Sequence, residues 1–539
     1  MKRISGKLLI SFLLIFMMQQ ESPGQNPYHN YRSLTDKISA LAAAYPGLCS
    51  VKSVVKTGGG REIWVMTIGT GDRDNKPGIA VFGGVSGAFI AGREIACGFA
   101  ARLLKESATG STPGLLDKVT FYIFPDVSPD ASEQYFSGLA YERTGNSRST
   151  DDDRDFADGE DGPEDLNGDG MITLMRIEDP TGKFIRCPED ERIMSEADAS
   201  KGQTGRYLVY TEGIDNDGDG KFNEDGQGGV SFNRNFPFDY EFYGQQSGLY
   251  PVSEPETKAV ADFLFERFNI YAVFMFGPQD NLGQPLKASP ADEKTVLVKA
   301  VREEDEQVGK LVSERYHAIT GLTGTPTMSN DRGNFMNWVY FHYGRYSFST
   351  PGWWYDAGKD KNAQAEFLRY AEKGNMKDPF VPWKVVSHPD FSGKTVEVGG
   401  IRPFLMKNPP ADSLDAITDR NSRFIMDVAG MHPEPELLDI KAENAGEGIW
   451  RISLKVHNKG LFATLPKISE ENIYTRVMRI TAEPSPGQEI LSGRKVQAIT
   501  RLEGGGSSEF SWLISGRGKV RITAGAVNTG SAVTDVELK

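Results

Sequence analysis

Acidic residues recur with one spacing at three places between residues 151 and 226. Each segment has oxygen-bearing side chains at its first, third and fifth positions, and two of the three have Gly at the sixth. Calcium-binding loops begin in this way, because alternate carboxylates converge on one cation while Gly allows the tight turn. The predicted calcium ligands are Asp151, Asp153, Asp155 and Glu160 in the first segment, Asp165, Asn167 and Asp169 in the second, and Asp215, Asp217, Asp219 and Glu224 in the third.

The ends of these segments differ from an EF-hand loop. The twelfth positions are Gly162, Arg176 and Gly226 instead of Glu, and Phe156 stands where the first segment needs its Gly. The pattern therefore predicts isolated calcium loops and not helix–loop–helix units. The alternative is an acidic, solvated segment that binds no ion.

Length and charge limit the classes of protein to which the chain can belong. Its 539 residues suffice for two to four domains with full apolar cores. The net charge of −14 excludes sequence-independent binding to nucleic acid or anionic lipid as a main role, and it suits cation binding. Three cysteines exclude a disulfide-rich scaffold and allow one bridge at most.

The N-terminus has the pattern of a secretory signal. Lys2, Arg3 and Lys7 precede an apolar stretch from Leu8 to Met18, which is too short to span a bilayer. We expect residues 1–24 to be a signal peptide, so that the protein is secreted, periplasmic or displayed at the cell surface. A short anchor or a buried helix is the alternative. No later apolar run predicts a transmembrane segment.

Three regions must position these residues. From residue 26 to 415, helical and strand-like patterns alternate, which predicts an α/β domain with a mixed, largely parallel sheet flanked by helices. Within it, Ser253 to Glu256 predicts a capping box that opens a helix to about Phe268. Residues 140–230 form an acidic insertion without a core of its own. Residues 430–539 alternate between apolar and polar, which predicts a small all-β sandwich of the immunoglobulin or fibronectin type after a linker at Asn408-Pro409-Pro410.

Several short motifs occur in a specific order along the α/β region. They are Gly58–Trp64 (GGGREIW), Phe232–Phe236 (FNRNF), Ser253–Thr257 (SEPET), Asn337–Tyr340 (NWVY) and Tyr346–Ser349 (YSFS). From about Tyr28 to Pro410 the chain resembles the zinc carboxypeptidases, the carboxypeptidase A-like metallopeptidases. The resemblance implies their α/β fold, a zinc ion, and release of C-terminal residues from peptides.

The residues that this chemistry needs are replaced. The resemblance implies a zinc ion held by two His and one Glu, with an open position for water and a Glu that takes the water's proton. At the three ligand positions the sequence has Ser86, Phe89 and Gly277. Pro351 stands for the catalytic Glu and Ser329 for the mobile substrate-site Tyr. We therefore expect no bound zinc and no catalysis by the family mechanism.

A rebuilt zinc site would need other ligands. The six His residues are all at least 25 residues apart, so no helix or hairpin can pair two of them locally. Glu397 is a possible carboxylate near the former site, but a strand residue with a structural partner is the simpler interpretation.

One element of substrate binding is retained. The resemblance implies that Asn233 and Arg234 hold the C-terminal carboxylate of a peptide, because a guanidinium donates two parallel charge-assisted hydrogen bonds. Alternatively, Arg234 pairs with an acidic residue of its own chain. The family's second Arg lies near Arg143 or Arg148, and the sequence does not separate the two.

Three hypotheses follow. The first is an exported, inactive pseudo-peptidase that binds the C-termini of peptides or peptidoglycan in a cleft where Arg234 is unpaired. The second is an active zinc metallocarboxypeptidase with a rebuilt metal site. The third is a calcium-stabilised structural or adhesion module.

Overall fold

The computed structural model describes residues 28–151, 158–159, 161–218, 220–223, 228–289, 297–358 and 361–539, so the predicted signal peptide lies outside the described residues. The helices in this part of the chain are α1 Tyr31–Ala44, α2 Ile90–Thr109, α3 Leu115–Lys118, α4 Pro129–Ser132, α5 Pro255–Phe265, α6 Glu303–Thr320, α7 Phe335–Trp338, α8 Ala363–Lys373 and α9 Leu414–Ala429. The strands are β1 Cys49–Lys56, β2 Glu62–Ile68, β3 Gly78–Phe82, β4 Thr120–Phe124, β5 Leu174–Glu178, β6 Phe184–Cys187, β7 Asp190–Glu196, β8 Tyr207–Thr211, β9 Ile270–Phe276, β10 Tyr346–Thr350, β11 Phe380–Val386, β12 Val396–Ile401, β13 Pro435–Gly446, β14 Ile449–Asn458, β15 Met478–Pro484, β16 Glu489–Ser492, β17 Val496–Ile499, β18 Ser507–Ser515, β19 Gly518–Ala526 and β20 Gly530–Leu538.

A six-stranded sheet forms the centre of the α/β region, in the order β1-β2-β4-β3-β9-β10. Strands β4, β3, β9 and β10 run parallel, while β2 and β1 are antiparallel to their neighbours. Strands β3 and β9 are buried along their whole length, which explains their uninterrupted apolar sequences. The predicted mixed, largely parallel sheet is confirmed.

Helices cover both faces of this sheet. Alternate residues of β3 point to opposite sides, so that Ile79 and Val81 pack with α1, α2, α6 and α9, while Ala80 and Phe82 pack with α5 and α7. Helix α9 contributes Phe424 to the first of these cores. The segment after Pro410 is therefore not a linker, because it folds back as a core helix of the α/β region.

The acidic insertion contributes four strands to a second, antiparallel sheet, in the order β11-β12-β5-β8-β6-β7. Met175 and Ile177 of β5 are buried against Val396 and Val398 of β12. The insertion thus has no core wholly its own, because it shares a small core with β12, whose residues come about 220 positions after their partners in β5.

The C-terminal region consists of two four-stranded antiparallel sheets, β13-β14-β18-β16 and β17-β15-β19-β20. Trp512, Ile480 and Ile522 are among the residues buried between them, and this arrangement confirms the predicted β-sandwich. The three cysteines are buried and form no disulfide. Among the described residues, no helix has the length and apolar character needed to cross a membrane.

Candidate functional site

The replaced catalytic positions meet at one edge of the first sheet. Ser86 follows β3, Gly277 follows β9 and Pro351 follows β10. These strands are parallel neighbours, and the carboxyl ends of parallel strands form the usual ligand-binding edge of such a sheet. The Gly277 N–H donates to the Thr350 carbonyl at 3.0 Å, which fixes β9 against β10 at this edge.

A cavity of about 810 Å³ opens at this edge, and Ser86, Phe89, Ser329 and Pro351 line it. Gly277 lies beside Pro278, a further lining residue whose carbonyl accepts the Ser329 N–H at 3.1 Å. The structure therefore brings together all five positions that the resemblance assigns to zinc and catalysis.

These residues do not fit a zinc ion. Ser86 is the one ligand position with a polar side chain, and a hydroxyl is a poor zinc ligand compared with His, Cys or a carboxylate. A Cβ atom at Gly277 would lie 3.0 Å from Cβ of Val85, so even a reintroduced His would have to displace that side chain. Among the described residues, no group of three or more His, Cys, Asp or Glu side chains is arranged to hold a metal.

Other candidates for a rebuilt site have structural partners. His29 lies 2.7 Å from a carboxylate oxygen of Glu94, and His388 contacts the Gly213 carbonyl at 2.8 Å. None of the six His residues, all of which the structure describes, lines the cavity. Glu397 accepts a hydrogen bond from Arg176 at 2.8 Å, and the Arg176 guanidinium lies over the ring of Trp383. Glu397 thus has a structural partner in the second sheet.

Helix α5 positions the FNRNF segment, although not through the predicted capping box. Asn235 closes the N-terminus of α5, because its Oδ1 accepts the Glu254 N–H at 3.3 Å and the Thr257 hydroxyl at 2.6 Å. Ser253 instead accepts a hydrogen bond from the Asn235 amide at 3.1 Å. The capping-box prediction is therefore wrong, since an Asn from another segment supplies the acceptor.

The two residues assigned to the ligand carboxylate have partners within the protein. The buried Asn233 amide donates to Gln279 at 2.6 Å and accepts the Phe335 N–H at 3.2 Å. The Arg234 guanidinium donates to the Gln245 carbonyl at 2.9 Å and lies 3.5 Å from Glu241 and 3.6 Å from Asp331. The expectation of an unpaired Arg234 is wrong, although its side chain lines the cavity.

The loop that supplies Glu241 and Gln245 has an unusual backbone. Asp239, Tyr243, Gln246 and Val252 all have positive φ angles, with φ +53° at Val252. Residues that are branched at Cβ, such as Val, rarely adopt this backbone conformation, and such strain concentrates at functional sites. The loop also places the Gln246 side chain in the cavity lining.

The structure separates the two candidates for the family's second Arg. Arg143 lines the cavity and donates to the Gly145 carbonyl at 3.0 Å, and burial lowers the pKa of its guanidinium. Arg148 does not line the cavity and pairs with Glu254 at 2.8 Å. Of the two candidates, Arg143 is therefore the one that lines the cavity.

A further wall of the cavity comes from the segment 402–407, which contains none of the sequence motifs. Its Arg402, Pro403, Met406 and Lys407 all line the cavity. With them, the described part of the lining has five cationic and two anionic side chains, although the whole chain is acidic. They are Arg143, Arg192, Arg234, Arg402 and Lys407 against Glu142 and Asp331.

Comparison with known proteins decides the family. A sequence profile of the zinc carboxypeptidases matches residues 34–351, more than half of the chain. The chain belongs to the zinc carboxypeptidase family. A second profile, a domain of unknown function (DUF8731), matches residues 434–537 in the β-sandwich.

Individual members of the zinc carboxypeptidase family are distant. Carboxypeptidase B of Astacus astacus is 30% identical over 112 residues, which are 20% of this chain and 35% of that relative, so the match spans about a third of its length. Bovine thrombin-activatable fibrinolysis inhibitor in complex with tick carboxypeptidase inhibitor is 14% identical, with 75% of this chain and 96% of that chain covered and a TM-score of 0.41. Carboxypeptidase A of Helicoverpa armigera is 13% identical, with 65% and 73% covered and a TM-score of 0.38.

Two of the predicted calcium loops have the same turn. Asp165 accepts the N–H groups of Gly168 and Gly170, both at 2.7 Å, and Asp215 accepts those of Gly218 and Gly220 at 2.8 and 2.9 Å. Of the other predicted calcium ligands, Asp151, Asn167, Asp169 and Asp217 belong to the described residues. Asp153, Asp155, Glu160, Asp219 and Glu224 lie outside them.

Two buried carboxylates, which the spacing pattern does not include, organise these loops. Glu212 accepts the N–H groups of Leu166 and Thr173 at 2.8 and 2.9 Å. Asp161 accepts those of Asn216 and Asn223 at 3.2 and 2.6 Å. Backbone donors therefore replace the cation that a buried carboxylate would otherwise need.

Proposed function

We propose that this protein is an exported, catalytically inactive zinc carboxypeptidase homologue that binds the free C-terminus of peptides, including peptidoglycan stem peptides. The observation that carries the proposal is the cavity at the carboxyl edge of the first sheet. There, Ser86 and Phe89 stand in place of zinc ligands and Pro351 in place of the catalytic base. Arg234 lines the same cavity. Without zinc there is no Lewis acid and no activated water, and Pro351 cannot accept a proton. A bound peptide would stay intact.

Arg234 stands at the position where the resemblance to the family implies contact with the carboxylate of the ligand. Its partner Glu241 is 37% exposed and lies at 3.5 Å, so the pair is a weak, solvated one. A ligand carboxylate that forms two parallel hydrogen bonds with the guanidinium would displace Glu241 at small cost. The excess of cationic side chains in the lining favours the same anionic ligand.

Two measurements test the proposal. Metal analysis of the purified protein should find no stoichiometric zinc, and peptides with free C-termini should bind without losing residues. Binding should weaken when the C-terminus is amidated and when Arg234 is replaced in Arg234→Lys. Arg332→Lys is the matched control, because Arg332 also contacts Glu241 but does not line the cavity. About one zinc per chain together with chelator-sensitive release of C-terminal residues would establish the active-enzyme hypothesis instead.

We also propose that calcium binds the acidic insertion and stabilises its fold. The observation that favours this is the shared turn of Asp165 and Asp215, which repeats the start of a calcium loop twice. Their neighbours at the third position, Asn167 and Asp217, supply further oxygen atoms of the kind that calcium prefers. In this role the insertion supports the cavity, since Thr173 and Asn223 belong to the insertion and line the cavity.

A further inference from the structure

We propose that the cavity holds a second anionic group of its ligand at Arg402, so that the preferred ligands are acidic peptides. This inference rests on the proposed function, because both anionic groups belong to one bound peptide.

The segment that carries Arg402 is fixed against the former zinc motif. The Asn408 amide donates to the Ala88 carbonyl at 2.8 Å and accepts the Ala91 N–H at 2.9 Å, both at the start of α2. The Lys407 ammonium lies 5.9 Å from the ring centre of Phe89, the residue at a zinc-ligand position. Segment 402–407 therefore forms the cavity wall on the former metal side.

The two cations of this segment differ in their charge balance. Lys407 pairs with Glu142, and Glu142 also accepts the Phe404 N–H at 2.9 Å, so each of its two carboxylate oxygens contacts this segment. The half-buried side chain of Arg402 makes no hydrogen bond and no ion pair with any residue that the structure describes. Its backbone N–H, in contrast, is fixed by the Pro379 carbonyl at 3.1 Å.

Two other arginines of the lining have carboxylate neighbours, whereas Arg143 donates to backbone carbonyls. Arg192 pairs with Asp190 at 2.6 Å and with Glu372 at 2.7 Å, and Arg234 lies near Glu241 and Asp331. A guanidinium without such a neighbour, in a recess of a chain with net charge −14, is a place where an anion is drawn from solvent. Its planar fork matches a carboxylate in geometry.

The apolar part of the lining suits a peptide between two anionic contacts. Trp353, Trp354, Met194 and Met406 line the same cavity as Arg402. Such side chains bury the apolar surface of a ligand, while a few charged groups fix its orientation. A peptide with a free C-terminus and one Glu or Asp side chain near it has both features.

The experiment varies two properties of the peptide independently: an acidic side chain and a free C-terminus. Acetylated tripeptides carry Glu or Gln at one of the last two positions, and each is prepared with a free and with an amidated C-terminus. Their dissociation constants are measured by calorimetry on the wild-type protein, Arg402→Gln and Arg234→Lys. The control is Arg186→Gln, which removes the same charge from an exposed position of β6 outside the cavity.

In the wild type we expect Glu to bind about tenfold more tightly than Gln, as for one charge-assisted contact in a partly wet cavity. Arg402→Gln should abolish this ratio and leave the effect of amidation, whereas Arg186→Gln should change neither. Equal binding of Glu and Gln peptides, or a ratio that survives in Arg402→Gln, overturns the inference. If Glu strengthens binding but amidation has no effect, the contact with the C-terminal carboxylate in the proposed function is wrong, and Arg402 remains the anion site. Absence of binding by all four peptide forms would overturn both.

Discussion

We expect the burial of Glu256 to make the stability of the protein depend on pH. One carboxylate oxygen of Glu256 accepts the Asn146 amide at 2.5 Å, and the other has no hydrogen-bond partner among the described residues. Burial is the main cause that raises the pKa of Glu256 to about 7 from an ordinary value of 4.5. Since the Asn146 carbonyl also accepts a hydrogen bond from Arg143, this carboxyl group supports the cavity wall.

The direction of the effect follows from proton binding. Between pH 4.5 and about 7, the folded protein holds a proton on Glu256 that the unfolded chain has lost. The free energy of unfolding therefore falls as pH rises through this interval and is constant, for this group, on either side of it. At 1.36 kcal/mol for each pH unit, the loss amounts to about 3 kcal/mol.

The assay is urea unfolding of the wild type and of Glu256→Gln at several values between about pH 4.5 and about pH 8. Gln keeps the acceptor for Asn146 but does not ionise, so the stability of the wild type relative to the variant should fall by about 3 kcal/mol. Burial also raises the pKa of Asp126 and of Asp280 to about 6, but both groups are present in both proteins and cancel in the difference. Glu266→Gln, an exposed position at the end of α5, should show no such difference. A difference that is independent of pH would refute the assignment to Glu256.

Three further predictions concern the site and the insertion. Calcium at millimolar concentration should raise the Tm of metal-stripped protein through preferential binding to the folded state, and Asp165→Ala and Asp215→Ala should each reduce the rise measured by calorimetry. An identical Tm with calcium and with chelator would mean that the insertion binds no ion. The double variant Ser86→His with Phe89→Glu should acquire neither zinc nor exopeptidase activity, as metal analysis and a peptide-release assay can show, because Gly277 and Pro351 remain. Glu241→Gln should tighten binding of peptides with a free C-terminus by up to about fivefold, the worth of one exposed ion pair, with no change for amidated peptides.

The central sheet could be predicted because burial on both faces leaves a strong sequence signal. Strands β3, β4 and β9 are buried throughout and consist mainly of apolar residues, and helical spacing occurs between them. Helix α9 was hidden by the prolines before it, Pro409 and Pro410, which are typical of linkers. The second sheet was hidden because its strands carry charged residues, such as Arg176, whose partner Glu397 comes 221 residues later.

The site was predictable only in part. The order of the motifs located Ser86, Gly277 and Pro351, because adjacent parallel strands bring successive βα turns to the same edge. The charge balance of the cavity could not be obtained in this way. Whether Arg234 or Arg402 has a carboxylate neighbour depends on loops that meet only in the folded protein, and the spacing of residues along the chain does not determine such contacts.

Loss of catalysis and retention of binding, both of which we propose, are compatible in one cavity for a physical reason. An enzyme must hold the transition state more tightly than the substrate, and in this family the zinc ion and its activated water supply that difference. A binding protein needs only affinity for the ground state, which fixed cations and apolar walls provide. With Phe89 and Pro351 in place of a ligand and a base, these two positions supply neither a zinc ligand nor a proton acceptor. Lys407 and Arg402 keep positive charge on the side where the metal would lie. On the proposed function, the cavity would attract an anionic ligand by its charge, bury the ligand's apolar part and release it unchanged.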